Sequence, residues 1–465
     1  MSASMSGPAI SLALFEFVQR ILLQEPIHPT ATDPGFFAEQ RRFVGKFQQL
    51  TSPVVAKGVE DTAFYRFHRL ISLNEVGSDP DRFSLTAIEL HRFFAERQRS
   101  WPWALSTLAT HDTKRGEDVR ARLNVLSEIP DEWSQTVRRW REWNRPHRLA
   151  LDEIEVPDPN EEYFLYQTLV GTWPIEDFDP ARPERTLSEA AEALQASFLP
   201  RILDYMSKAL NEAKVYSSWI RPDPEHDAAL RHFITRILDA AKNPEFLADI
   251  RNFARRISHW GCFHSLAQTV LKLTAPGVAD IYQGAELWDL SLVDPDNRRL
   301  VDYELRQSYL RRIQDRFEHD PVPLCRDLLA HKEDGRIKLF TVWRCLRARR
   351  SAPGLFSQGE YEPLELSGNY SSHALAFARR HEGKEALVVV PRWLLSFVEP
   401  DRLPLGERWG DTRVVLPESW GCRTYINVFT GRVESLHVEA RLSQLFADFP
   451  VAVCLSRVSE SMHEP

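Results

Sequence analysis

Apolar and polar positions change their period several times along the chain, and each change predicts a different kind of element. Residues 9–23 place their apolar side chains on one helical stripe, and residues 36–50 resume a helical pattern. Residues 121–225 are predicted to be almost wholly helical, with prolines at the breaks. A further helix is predicted over residues 337–350, within a final segment that otherwise shows short β-type runs.

Short runs of β-type residues fill that final segment, which begins at about residue 321. Turn residues such as Gly383 and Gly431 separate the runs. The runs cover residues 374–378, 386–391, 413–416, 424–429, 433–438 and 451–455. They predict an antiparallel β-domain at the C-terminal end of the chain.

A different pattern precedes the helical region. Residues 101–109 are mostly apolar and predict a buried strand, and six polar or charged residues follow at once, from Thr110 to Arg115. A buried strand that ends in polar residues is how an α/β barrel presents chemistry at its C-terminal rim. Asp112 would then be a carboxylate at a strand end, with His111 beside it and two cations shortly after it, which favour its ionised form.

A structural alternative explains the same residues. Strand-end carboxylates often only cap the next helix, and Glu117 and Asp118 are typical of a charged helix start. The spacing by itself favours this alternative over a catalytic role for Asp112.

Three further stretches of the sequence favour the catalytic role for Asp112 over the structural one. They are Ala56-Lys57-Gly58-Val59-Glu60-Asp61-Thr62-Ala63-Phe64-Tyr65-Arg66, Leu73-Asn74-Glu75-Val76-Gly77, and Asp280-Ile281-Tyr282-Gln283-Gly284-Ala285-Glu286-Leu287-Trp288 with its continuation from Leu292 to Arg299. Together with the His-Asp stretch, and in this order, they closely resemble the maltooligosyltrehalose synthases of the α-amylase superfamily. The resemblance is strongest over residues 47–302.

The resemblance implies an α/β fold, with a partial (β/α)8 barrel of the TIM type that carries a large helical insertion and is followed by the antiparallel β-domain. Five segments are expected. They are a remnant of a helical insertion (1–50), a barrel segment with the His-Asp motif (51–120), a helical subdomain (121–225), the last barrel segment (226–320) and the β-domain (321–465).

The family's reaction is an isomerisation, in the class of the (1→4)-α-D-glucan 1-α-D-glucosylmutases, and belongs to trehalose biosynthesis. The resemblance implies that Asp112 stabilises the transition state and that His111 binds a sugar hydroxyl beside it. The expected substrate-binding residues are Lys57, Glu60, Asp61, Tyr65, Arg66, Lys114, Arg115, Gln283, Glu286, Asp296 and Arg298. The expected ligand is a maltooligosaccharide or another α-glucan, and no metal or cofactor is expected.

Two elements of the family's machinery are missing from the sequence. No Arg-x-Asp-His motif occurs, and no strand-like run with a candidate acid/base glutamate precedes Lys57. The chain is therefore expected to be a C-terminal portion, truncated before the first barrel strands, with a complementing N-terminal half as a possible partner. A non-catalytic glucan-binding remnant and an α-glucan hydrolase of the same superfamily remain as alternatives.

Composition excludes several other classes. The net charge of −8 gives no bulk attraction to nucleic acid or to an anionic membrane. The five cysteines form no CxxC pair, which argues against a zinc site and fits a reducing, cytoplasmic location. The N-terminal apolar run is interrupted by Glu16, Gln19 and Arg20, unlike a signal peptide or a membrane span.

Two of the expected substrate-binding residues have a structural alternative. Asp296 and Arg298 could serve only as ion-pair partners of each other.

Overall fold

A computed structural model of the chain describes residues 12–25, 34–178, 192, 194–399, 402–420 and 423–457. The chain divides into two compact units, Met1–Arg66 and Phe67–Pro465. None of the helices in the described ranges is both long enough and apolar enough to cross a lipid bilayer. The finer division into five segments stays a prediction.

The first unit is built from two helices, as predicted. Helix α1 covers Leu12–Leu22 and helix α2 covers Pro34–Val55. The Gln40 side-chain amide donates a hydrogen bond to the Ile21 carbonyl at 3.2 Å, which joins the two helices. The predicted helical positions 9–11 lie outside the described residues.

The second unit begins as a bundle of helices, which confirms the largely helical prediction for residues 121–225 within the described ranges. Its helices are α3 (Ala87–Ser100), α4 (Glu117–Val125), α5 (Pro130–Asn144), α6 (Pro159–Thr172), α7 (Leu199–Ala213), α8 (Pro224–Ile237), α9 (Pro244–Thr274), α10 (Tyr303–His319), α11 (Pro321–Ala330), α12 (Arg336–Ser351) and α13 (Pro353–Ser357). Helix α9 lies at the centre and packs on α4, α6 and α12. Trp140 on α5 and Trp260 on α9 are fully buried in this core.

Two parallel strands lie in the second unit, β1 (Leu105–Ser106) and β4 (Val278–Ala279), with Leu105 opposite Val278. The expected buried strand over 101–109 is wrong. Only two of its residues are in a strand, and Trp101 and Leu105 are 72% and 73% exposed. Within the described ranges β1 pairs with β4 alone, and its Leu105 carbonyl accepts a hydrogen bond from the Arg97 guanidinium at 2.8 Å. The wider partial barrel stays a prediction.

A short hairpin in the helical region was not predicted. Strands β2 (Leu149–Leu151) and β3 (Ile154–Val156) pair antiparallel across a two-residue turn at Asp152 and Glu153. Asp152 has a positive φ of 52°, which aspartate tolerates better than most residues. Strands of three residues are too short for an alternating pattern to stand out from the surrounding helices.

The C-terminal region forms an antiparallel sheet, as predicted. Its strands are β5 (Glu360–Leu364), β7 (Ala374–His381), β8 (Lys384–Pro391), β10 (Arg423–Asn427), β11 (Val433–Leu436) and β13 (Ala452–Ser456), in the order β11-β10-β13-β8-β7-β5. A smaller sheet contains β6 (Leu366–Ser367), β9 (Arg413–Val415) and β12 (Glu439–Arg441). Every run predicted as a strand contains one. Gly383, at φ 77°, supplies the turn between β7 and β8.

A buried ion cluster joins the start of α4 to α12. The Lys338 ammonium lies 2.8 Å from Glu117 Oε1 and 2.7 Å from Asp118 Oδ2, and all three side chains are buried. Burial alone would lower the pKa of Lys338, but the two carboxylates raise it above its usual value. Lys272 of α9 approaches Glu117 to 3.6 Å. The predicted charged helix start is therefore present, but its charges point into the protein.

The substitution Lys338→Met should lower the free energy of unfolding by about 3–5 kcal/mol, because it leaves two carboxylates buried without their principal cation. Urea denaturation of the two proteins would measure the difference. Lys384→Met removes an exposed lysine and is the matched control. An equal effect of the two substitutions would contradict a structural role for the cluster.

Candidate functional site

The His-Asp stretch forms a tight loop between β1 and α4, held by its own threonines. Thr113 Oγ1 donates to the Thr110 carbonyl at 2.9 Å, and the Asp112 amide donates to Thr110 Oγ1 at 3.2 Å. His111 and Asp112 are exposed, and the Asp112 side chain is 60% accessible. The loop therefore presents both predicted catalytic groups outward while its backbone is fixed.

Glu75 anchors this loop from a distant part of the chain. Its carboxylate accepts hydrogen bonds from the backbone amides of Lys114 at 2.7 Å and Arg115 at 3.3 Å. Arg120 lies 3.6 Å from the same carboxylate, and Glu75 itself is 7% exposed. The sequence singled out Leu73–Gly77 only through the family resemblance, and Glu75 was not among the predicted site residues. A glutamate between Asn74 and Val76 gives no local signal of its own.

The two cations that follow Asp112 are both buried, and they take different roles. Lys114 Nζ lies 4.0 Å from Asp112 Oδ1, so its charge faces the exposed carboxylate. The Arg115 guanidinium turns inward and donates to the Ile71 carbonyl and to the Tyr205 hydroxyl, each at 3.1 Å. Of the two, Lys114 is the cation placed beside Asp112.

The loop after β4 contains the next predicted residues, Gln283 and Glu286. Gln283 is exposed. Glu286 forms an ion pair with Arg306 at 3.1 Å, and Arg306 also donates to the Gly284 carbonyl at 2.8 Å. Gly284 has a φ of 87°, which glycine adopts without strain. Glu286 thus holds the turn together, and Gln283 projects from it.

Asp296 and Arg298 do not pair with each other, so that alternative is wrong. Arg201 of α7 donates two hydrogen bonds to Asp296, both at 2.8 Å, and Arg298 pairs instead with Asp294. Burial alone would raise the pKa of Asp296, but the hydrogen bonds and charge of Arg201 lower it below its ordinary value. Asp296 therefore fixes the loop to α7, and Arg298 remains exposed.

The segment around Asp296 lies directly against the His-Asp loop. The Asn297 side-chain amide donates to the His111 carbonyl at 2.8 Å, and the Gly116 amide donates to the Ser291 carbonyl at 2.8 Å. Three of the four stretches on which the resemblance rests, those containing Glu75, Asp112 and Asn297, are therefore brought together in the second unit.

The fourth stretch belongs to the first unit. Ala56–Glu60 is a single π-helical turn, and Lys57 forms an ion pair with Asp61. Lys57 and Arg66 are exposed, Glu60 is half-buried and Tyr65 is buried. The exposed ion pair agrees with the simpler interpretation of this stretch as a surface cluster, and a role in sugar binding stays a prediction.

The residues that the structure describes include four buried cysteines and no candidate metal cluster. No group of three or more His, Cys, Asp or Glu side chains there could hold a metal ion. Cys262, Cys325, Cys345 and Cys454 are free and buried, and burial raises the pKa of the Cys262 thiol to about 12. Cys422 lies outside the described residues.

Comparison with known proteins points to one family. No family model matches the chain. Two curated proteins of Mycobacterium tuberculosis, from strains CDC 1551 / Oshkosh and H37Rv, are named as candidate maltooligosyl trehalose synthases and are each 36% identical to it over 408 residues. Those residues are 88% of this chain and 45% of each relative, so the chain spans about half the length of the curated relatives it matches.

Solved structures agree. The maltooligosyltrehalose synthase of Arthrobacter ramosus matches with a TM-score of 0.73 and 32% identity, covering 96% of this chain and 49% of that one. A hypothetical maltooligosyl trehalose synthase of Sulfolobus tokodaii matches with a TM-score of 0.64 and 29% identity, covering 95% and 53%. The chain has the fold of about half of these proteins.

The substitution Glu75→Ala should release the loop that carries Asp112. We expect hydrogen exchange at the Lys114 and Arg115 amides to quicken by about tenfold or more, because hydrogen bonds to a charged acceptor are lost. Mass spectrometry of peptides covering 110–116 would measure this. Glu407→Ala, at an exposed position, is the matched control. Unchanged exchange in the Glu75 variant would contradict the anchoring role.

Proposed function

We infer from its homology with the maltooligosyltrehalose synthases, which covers 88% of the chain, that this protein forms part of an enzyme that isomerises maltooligosaccharides. The observation that carries the proposal is the exposed Asp112 on a backbone fixed at three places. Thr110 holds the loop locally, Glu75 holds its later amides, and Asn297 binds the His111 carbonyl. Such preorganisation is what a transition-state stabiliser requires.

The proposed reaction breaks the terminal α-1,4 bond at the reducing end of a maltooligosaccharide. A carboxylate nucleophile takes the remaining glycosyl chain as a covalent intermediate, and an acid/base group protonates the departing glucose oxygen. The glucose stays bound, reorients and attacks the anomeric carbon of the glycosyl chain through its own anomeric hydroxyl. The bond to the carboxylate nucleophile breaks, and the hydroxyl proton passes to the acid/base group. The product ends in an α,α-1,1 trehalose linkage.

Asp112 would act at the transition state of each step. Positive charge develops on the sugar ring there, and a fixed carboxylate lowers its energy. The Lys114 ammonium lies 4.0 Å from this carboxylate. His111, exposed on the same loop, would bind a hydroxyl of the same sugar.

The nucleophile and the acid/base group would come from polypeptide that corresponds to the other half of the relatives. Strand β1 supports this part of the proposal, because within the described ranges it pairs with β4 alone and its flank carries the exposed Trp101 and Trp103. A strand edge without a strand partner, next to exposed aromatic side chains, favours pairing with a further strand, which would displace the Arg97 side chain from the Leu105 carbonyl. That strand could belong to the same polypeptide or to a separate one.

Trehalose-ended product should form from maltopentaose when this chain is combined with the half of a homologous synthase that it does not match, and not from the chain alone. In that combination Asp112→Asn should lower kcat by about 10²–10³-fold, whereas Asp315→Asn, at an exposed position on α10, should not change it. Chromatography of the products would separate trehalose-ended sugars from glucose.

The other outcomes of this assay have distinct meanings. Activity of the chain alone would contradict the need for a second half. Free glucose as the main product would favour an α-glucan hydrolase. Binding of maltopentaose without any turnover in the combination would favour a non-catalytic glucan-binding protein.

Retention of the released glucose gives a separate test. Lys57→Ala should raise the ratio of hydrolysis to isomerisation by about tenfold, because the loss of a charged hydrogen-bond donor lets the glucose escape. Lys46→Ala, on the exposed side of α2, is the matched control. Lys57 is a better position for this test than Arg115, because substituting Arg115 would also remove hydrogen bonds in the protein interior. An unchanged ratio would remove Lys57 from the site.

A further inference from the structure

A cavity of about 500 Å³ opens beside helix α5, in the second unit. It is lined by the turn that follows α4, by α5 and α6, and by loop residues around Arg69 and Phe83. Its lining residues are Arg69, Leu70, Phe83, Leu126, Ser127, Pro130, Trp133, Ser134, Val137, Arg138, Arg141 and Tyr163. None of them belongs to the predicted substrate-binding set, so the proposed isomerisation leaves this cavity without a function.

Aromatic contacts build a firm floor for the cavity. The Trp133 indole N–H donates to the Tyr163 hydroxyl at 3.0 Å, and that hydroxyl donates to the Arg69 carbonyl at 3.2 Å. Trp133 also stacks on Phe253 of α9, with ring centroids 5.6 Å apart. Helices α5, α6 and α9 and the Arg69 backbone are therefore fixed relative to one another, and the cavity is preformed.

The charge of the lining is one-sided. It contains three arginines and no aspartate or glutamate, although the whole chain has a net charge of −8. Arg141 is partly neutralised by Glu162, at 3.1 Å. Arg138 is exposed and forms no ion pair with a described residue, and the Arg69 guanidinium lies over the Phe83 ring at 4.5 Å without a described carboxylate partner. Two guanidinium groups are thus left to bind an anion.

The rest of the lining suits the body of a small molecule. Leu126, Pro130 and Val137 provide apolar wall, and Ser134 provides an exposed hydroxyl group. A cavity of this size is within the range that holds metabolite-sized ligands. Arginine pairs bind phosphoryl groups well, because each guanidinium presents two parallel N–H donors to the oxygens. A phosphate monoester also carries a charge of about −1.5 to −2 at neutral pH, which two arginines can balance.

We propose that this cavity binds a small organic phosphate of about the size of a hexose phosphate, held by Arg69 and Arg138 at its phosphoryl group and by the apolar wall along its body. The site lies on the helical region and not on the His-Asp loop. The proposal does not depend on the isomerase function, and binding can be measured on the chain itself.

Equilibrium dialysis with radiolabelled glucose 6-phosphate tests the proposal and tolerates any oligomeric state. One molecule should bind per chain, more tightly than inorganic phosphate, and glucose should not compete. Arg138→Ala and Arg69→Ala should each weaken binding by about tenfold, the usual effect of removing a charged hydrogen bond. Arg138→Lys should bind with an affinity between those of the unchanged protein and Arg138→Ala, because lysine keeps the charge but lacks the two parallel N–H donors of the guanidinium.

The matched control is Arg312→Ala, which removes an exposed arginine of α10 with the same change in net charge and should leave binding unchanged. Circular dichroism would confirm that each variant is folded. An equal loss in the control would mean general charge attraction and overturn the site. Absence of saturable binding, equal affinity for inorganic phosphate, or tighter binding of glucuronate would also overturn the proposal.

Discussion

The buried contact of Lys338 with Glu117 and Asp118 is the constraint on which the second unit depends. Leaving a buried charge without its partner destabilises the fold by far more free energy than a surface ion pair contributes. Helices α4 and α12 are therefore stable only together. The cluster makes one more contact, since the Asp289 backbone amide donates a hydrogen bond to the Asp118 carboxylate at 2.6 Å. One cluster therefore joins two helices and the segment that follows β4.

The position of the His-Asp loop follows from this cluster. The loop starts at β1 and ends at α4, both of which are fixed, and Glu75 binds the amides between them. Few conformations remain for a loop so restrained, and Asp112 can stay exposed without being mobile. A catalytic loop needs a rigid backbone with accessible side chains, because its conformational entropy is then lost on folding and not when the substrate binds.

Charged residues of the family's motifs fall into two groups in the structure. Arg115 and Asp296 are committed to partners inside the protein, whereas Asp112 and Arg298 remain accessible. The first group builds the loops, and the side chains of the second are exposed. The same distinction marks the cavity beside α5, where Arg141 has a carboxylate partner and Arg138 has none among the described residues.

The sequence by itself determined the helical character of residues 121–225 and most strands of the C-terminal sheet, because their signals are local: the period of apolar residues, and turn residues such as Gly383. It also led to the family, through the residues around Asp112. Only the tertiary structure decided which polar residues are structural. Glu75 meets Lys114 across 39 positions, and Arg201 meets Asp296 across 95. Burial and pairing depend on such distant partners, which no local pattern contains, and the exposed strand at Leu105 was missed for the same reason.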